Sequence, residues 1–118
     1  MKWEMKYQAA KNYLKTHRKR SGLTQREIAK LVGYKTPGQI VRHEHAKSAP
    51  PLTTAFAYEA VFRVPISAIF AAMRQNIRRE IEERLRELET ALGNRSAKDP
   101  DAKLVAQKLL WLYERKRR

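Results

Sequence analysis

The stretch from Thr24 to Glu44 narrows the possible folds of this chain more than any other, because two short runs of helical period meet there at a glycine. Thr24-Gln25-Arg26-Glu27 has the order of a capping box, in which the threonine oxygen accepts one orphan N–H and Glu27 returns to the threonine N–H. Ile28, Ala29, Leu31 and Val32 follow as an apolar side, and Gly33 offers a stop. Thr36 is expected to cap the next helix, with Pro37 at its first position, where a missing N–H costs nothing. Ile40, Val41 and Glu44 carry that helix on to about His45.

The flanking segments keep the same period. Tyr7, Ala10, Tyr13, Leu14 and His17 fall at three- and four-residue steps, which predicts one helix face up to about Arg20, stopped at Gly22. Ser48-Ala49-Pro50-Pro51 reads as a stiff loop. A fourth helix is expected from about Thr53 to Arg63, with Ala57, Ala60 and Val61 inward. Pro65 opens a fifth, whose stripe of Ile66, Ile69, Phe70, Met73, Ile77, Ile81, Leu85, Leu88 and Leu92 runs unbroken to Gly93. Its other faces offer Arg79/Glu83, Glu80/Arg84 and Glu82/Arg86 as i,i+4 ion pairs. Such a helix would measure about 40 Å, longer than a compact five-helix domain can cover. Asn94–Lys98 is a loop, and Asp99-Pro100 restarts a helix with Leu104, Val105, Leu109, Leu112 and Tyr113 on its apolar face. No segment alternates with period two. The expected fold is all-α, with a domain over residues 1–72 and a C-terminal helical extension over 73–118.

Charge says what surface this chain presents. The formal net charge is +14 over 118 residues, which points to a polyanionic partner. Residues 1–50 hold twelve Lys or Arg against three acids, whereas residues 51–100 hold eight against seven. The phosphate-facing surface is therefore expected in the N-terminal half, with the basic tail Arg115-Lys116-Arg117-Arg118 read as solvated. There is no cysteine, which removes disulfides and thiolate metal sites. No apolar run approaches membrane-spanning length and the first residues lack a signal-type core. The expectation is a cytoplasmic, nucleoid-associated protein with no membrane partner.

Arg18, Gly22-Leu23-Thr24-Gln25, Glu27-Ile28-Ala29, Leu31, Gly33, Thr36, Ile40 and Glu44, then Val64-Pro65 with Ile69-Phe70, form a spaced pattern. Through it, residues from about Leu14 to Phe70 resemble the lambda-repressor-like helix-turn-helix family, the group of Cro and the Xre-type regulators. The resemblance implies a five-helix domain whose third helix, about residues 36–45, enters the major groove of double-stranded DNA. It implies that Arg18 and Glu44 pair and tie the first helix to the third.

A helix fits the major groove with its N-terminal residues at base edges. Thr36, Gly38, Gln39 and Arg42 are thus the expected base contacts; glutamine can bond adenine bidentately and arginine can bond guanine. Thr24, Gln25, Arg26, Lys35 and Lys47 are the expected phosphate contacts, with dipole attraction at the start of the second helix. Four positions depart from the family. Pro37 and Gly38 stand where polar readers are usual, His43 stands for an apolar or aromatic residue, and Ala46 stands for a glycine.

His43 and His45 point to different faces of a helix and have no cysteine to assist, so neither metal nor cofactor is expected. No nucleophile–histidine or paired-carboxylate arrangement stands out, and no enzyme activity is expected. The leading expectation is a transcriptional regulator acting as a homodimeric repressor, with Met73, Ile77, Ile81, Leu85, Leu88 and Leu92 at the dimer interface. The alternative is an antitoxin or interaction module whose C-terminal helices bind a protein partner. Folding of the last helix back within one chain would cover part of the same stripe.

Overall fold

A computed structural model describes residues 11–95 and 98–118; Tyr7 and Ala10, expected on the first helix, lie outside them. The described residues hold seven helices and no strand: α1 (Leu14–Ser21), α2 (Gln25–Val32), α3 (Gly38–Glu44), α4 (Leu52–Phe62), α5 (Ile66–Ile69), α6 (Ala71–Gly93) and α7 (Ala102–Arg115). They divide into two compact units, one up to Ile77 and one from Arg78, and α6 belongs to both.

The core of the first unit is built from one or two residues of each helix. Leu14 of α1, Ile28 and Ala29 of α2, Ile40 of α3, Tyr58 of α4, Ile69 of α5 and the following Phe70 are all buried. Leu23, Val32, Tyr34, Val61, Phe62 and Met73 close around them. Two expectations fail here. Leu31 is 59% exposed, because Ile28, Ala29 and Val32 already fill the narrow inward stripe of an eight-residue helix. On α4 the buried residues are Thr54, Ala55 and Tyr58; Val61 packs beside the core as expected, while Ala60 faces out.

Helix ends follow the sequence closely at α1 and α2. Gly22 and Gly33 both adopt the left-handed conformation, with φ of 77° and 94°. The Thr24–Glu27 capping box closes at 2.9 and 3.1 Å. At α3 the expectation needs correcting by one residue. Pro37, with ψ of −2°, is the cap and Gly38 the first helical residue; helical ψ lies near −42°. The Pro37 carbonyl accepts the first helical bond, from Val41 N–H at 3.0 Å. Thr36 therefore sits one residue outside the helix and caps nothing.

The expected long fifth helix is also two helices. Phe70 interrupts it at φ −111°, ψ 47°, its ring buried in the core. The long element is the sixth helix, Ala71–Gly93, about 35 Å in length. At the start of the short α5, Ile66 N–H is satisfied by the Glu59 carboxylate at 2.8 Å.

In the second unit the C-terminal part of α6 and α7 form a hairpin. Leu92, Val105 and Leu112 are its buried residues, with Leu85 and Leu109 packed beside them. Glu82 pairs with Arg115, and Glu89 with Lys116 at 2.7 Å. Of the expected i,i+4 pairs, Glu80–Arg84 forms at 3.3 Å, whereas Glu82 turns across the hairpin to Arg115, which holds its carboxyl below the usual range. Leu92 and Leu85, expected at a dimer interface, are thus covered within one chain. Met73 packs on the first unit's core.

The end of α3 offers a direct stability test. Lys47 N–H bonds to Arg42 C=O at 2.9 Å and Ala46 N–H to His43 C=O at 3.2 Å, the bonding pattern of a Schellman stop. It requires Ala46 at φ 57°, a left-handed position that costs a side-chain-bearing residue roughly 1–2 kcal/mol. Part of the relief given by glycine is lost to its greater unfolded-state entropy. Ala46→Gly is therefore expected to stabilise the fold by about 1 kcal/mol. Urea titration measures this, and an unchanged or lower midpoint would refute the strain.

Candidate nucleic-acid interface

The helix expected to read DNA is only seven residues long, too short to persist by itself. It is held by contacts on three sides. Ile40 enters the core. Glu44, whose carboxylate is fully buried, receives Arg18 Nε at 2.6 Å and Arg18 Nη2 at 3.1 Å. This bidentate pair links α1 to α3, as the resemblance implied, and raises the Arg18 pKa mainly through its hydrogen bond to Glu44. His43 points the other way, into the core, where its Nδ1 and the Tyr58 hydroxyl of α4 share a 2.7 Å hydrogen bond.

Sequence reasoning missed two members of this scaffold. Gln25, expected at a phosphate, donates its Nε2 to Glu44 Oε1 at 3.1 Å. A glutamine NH2 has two donors, so one is committed to holding α2 against α3 and one is left for a ligand. Asn12 donates to the His43 carbonyl at 2.9 Å and accepts from Leu14 N–H at 3.0 Å. Its side chain thereby starts α1 and clasps the last turn of α3 together. Asn12 lies within the stretch whose period predicts one helix face from Tyr7 to His17, so nothing in the sequence marked it as a helix start.

The remaining expected contacts are displayed rather than buried. Thr36, Gly38, Gln39 and Arg42 are exposed, and so are Thr24, Arg26, Lys35 and Lys47. Thr24 Oγ1 is engaged by Glu27 N–H, so its side chain serves the helix first. A helix leaves its first N–H groups without intrahelical partners, and the capping box satisfies those of Thr24 and Glu27. The backbone N–H groups of Gln25 and Arg26 stay open at the positive end of α2. Gly38 has open space around it, the nearest atom to an added Cβ being Thr36 Oγ1 at 3.8 Å. Pro37 and Gly38 bring no side-chain donor to this surface.

The geometry is two adjacent helices joined by a glycine turn, the second presenting a polar face and pinned from behind by polar contacts. Residues 14–69 match the family model described as Helix-turn-helix, of the Cro/C1, lambda-repressor-like type. This part of the chain is a helix-turn-helix domain of that family. The family is one of DNA-binding transcription regulators. No curated protein and no solved structure matches the chain. Among the described residues, no group of His, Cys, Asp or Glu gathers as a metal site, and no helix is long and apolar enough to cross a membrane.

His43 gives the helix-turn-helix domain a pH dependence. Burial, reinforced by the neighbouring Arg42 charge, lowers its pKa from 6.5 to about 4. A histidine buried neutral favours folding fully above its unfolded value and loses that contribution as pH falls toward the folded value. Between pH 7 and pH 5 the domain should lose about 2 kcal/mol. Urea midpoints at the two pH values, with the His43 ring followed by NMR, measure the loss; a ring that titrates near its ordinary value would refute it.

Proposed function

We propose that the chain is a homodimeric transcriptional repressor that lays α3 in the major groove of double-stranded DNA. The observation that carries this reading is the division of α3 into two faces. Ile40, His43 and Glu44 anchor it, while Gly38, Gln39 and Arg42 face outward on the helix that the family resemblance implies enters the groove. Gln39 is suited to adenine, and Arg42 to guanine or a phosphate. Thr36 flanks the start of the helix. Gln25, Arg26, Lys35 and Lys47 take the backbone, with Thr24 positioned beside them.

The glycine and proline at the head of α3 limit what can be read. With few donors, discrimination falls to Gln39 and Arg42 and to duplex shape and deformability. Gly38 adds no side chain between helix and base edges, which favours close approach.

The dimer part concerns residues 73–118 and rests on what the hairpin leaves uncovered. Ile81 and Leu88 on α6, and Leu104 and Trp111 on α7, are exposed. Each pair is seven residues apart, the repeat of a helix–helix seam. Two hairpins meeting on these residues would make a four-helix arrangement. Met73, Ile77, Leu85 and Leu92 then contribute from within the chain, and the seam belongs to the other four. A cytoplasmic location on the nucleoid accords with this function.

Selection of bound sequences from a random duplex pool tests the DNA reading. Arg42→Ala and Gln39→Ala should relax the selected preference, each costing about 1–3 kcal/mol of discrimination, whereas Lys47→Ala should weaken all duplexes alike. An Arg42→Ala variant with unchanged affinity and preference would remove α3 from the groove. Sedimentation equilibrium of the purified chain tests the seam. A dimer that Leu88→Glu and Trp111→Glu convert to monomer is the expected result, and a wild-type monomer would leave the exposed face to another partner.

A further inference from the structure

The exposed lysines of α1 and its lead-in take no part in the contacts proposed above. Lys15 and Lys19 are four residues apart on α1, and Lys11 stands four residues before them, in the segment leading into the helix. Lys15 and Lys19 form the shared wall of two open grooves, and Lys11 lines the second. Lys15 and Lys19 border one with Thr24 and Gln25, at the start of α2. All three border the other with His45 and Ala46, at the end of α3.

We propose that Lys11, Lys15 and Lys19 form a second phosphate track, which carries the duplex backbone beyond the helix-turn-helix motif. This rests on the DNA-binding reading and extends it to an element that the motif does not include. Three observations support it. No described carboxylate pairs with these lysines, and the one acid lining either groove, Glu44, has its carboxylate buried under Arg18 and Gln25. Among the described residues their charge is therefore uncompensated. The row is also fixed relative to α3, since Asn12 bonds the His43 carbonyl at 2.9 Å and Tyr13 N–H bonds the Ile69 carbonyl at 2.8 Å. Lastly, the row is continuous with Gln25, so a strand held at the start of α2 meets Lys19 and Lys15 next. Four residues of helix advance about 6 Å, against one phosphate per about 3.4 Å of axis on each strand. The row thus spans more than one phosphate.

The test is fluorescence anisotropy with a labelled duplex of mixed sequence, titrated between roughly 50 and 200 mM salt. Each phosphate neutralised contributes about 0.9 to the slope of log K against log salt. The K11Q/K15Q/K19Q variant should therefore show a slope shallower by about 2–3 and an affinity at least about tenfold lower at the low-salt end. K15Q and K19Q singly should each remove about one. The ranking of sequences chosen from a random pool should stay that of the wild type, because phosphate contacts carry no base information. Equal slopes in wild type and triple variant would overturn the track and leave the DNA reading standing. Failure of the wild type to bind either the mixed duplex or any pool sequence would overturn both.

Discussion

A carboxylate with no exposed surface sits between the first three helices, and its three donors decide where α3 lies. Glu44 takes two bonds from Arg18 and one from Gln25, so α1, α2 and α3 meet at one side chain. Desolvating such a pair costs several kcal/mol per ion, and the pair recovers this only if its geometry is good. Its net effect on stability is therefore modest, and an apolar replacement of similar volume could be as stable. What the pair supplies is direction. A planar guanidinium forked onto a carboxylate accepts few orientations, and an apolar contact would let the short helix rotate.

The same economy appears on the other side of α3. His43 and Tyr58 form a buried polar bond in a core that is otherwise aliphatic and aromatic. Tyr58 is held neutral by burial, which pushes its pKa up, while His43 is held neutral by the same cause acting in the opposite direction. Two neutral groups can then share a hydrogen bond without a buried charge. With Ile40 as the only fully buried apolar side chain on α3, the helix is located by polar bonds to α1, α2 and α4 more than by its own hydrophobic face. The Schellman stop at Ala46 finishes the job by turning the chain away just past Glu44.

Much of this was legible in residue order, for physical reasons that differ from site to site. The Thr24 capping box and the stops at Gly22 and Gly33 are local, needing only neighbours three to five residues away, and they stand as expected. The Arg18–Glu44 pair spans 26 residues and came from the family resemblance, since no periodicity predicts it. Gln25 on Glu44, Asn12 on the His43 carbonyl and His43 on Tyr58 are long-range polar bonds, and nothing local announces them. The unbroken stripe from Ile66 to Leu92 misled because period records which residues are apolar and not whether the backbone continues. Phe70 bends out of helix to bury its ring, and the apolar spacing hides the bend. Leu31 misled for a related reason: an eight-residue helix buries a stripe narrower than its apolar content.

The face of α3 that remains outward is short of donors, while the surrounding surface is rich in cations. On the proposed reading these two facts divide the work. Phosphate contacts supply affinity that is steeply salt-dependent and nearly blind to sequence. Base contacts supply discrimination, and here Gln39 and Arg42 carry most of it, with Gly38 letting the helix come close. Adding basic residues to such a protein raises specific and non-specific binding together and leaves their ratio unchanged. On α3, the residues that can alter the ratio are those that meet base edges. Restoring a polar side chain at Gly38, where open space surrounds an added Cβ, would change discrimination without touching the Glu44 or His43 anchors.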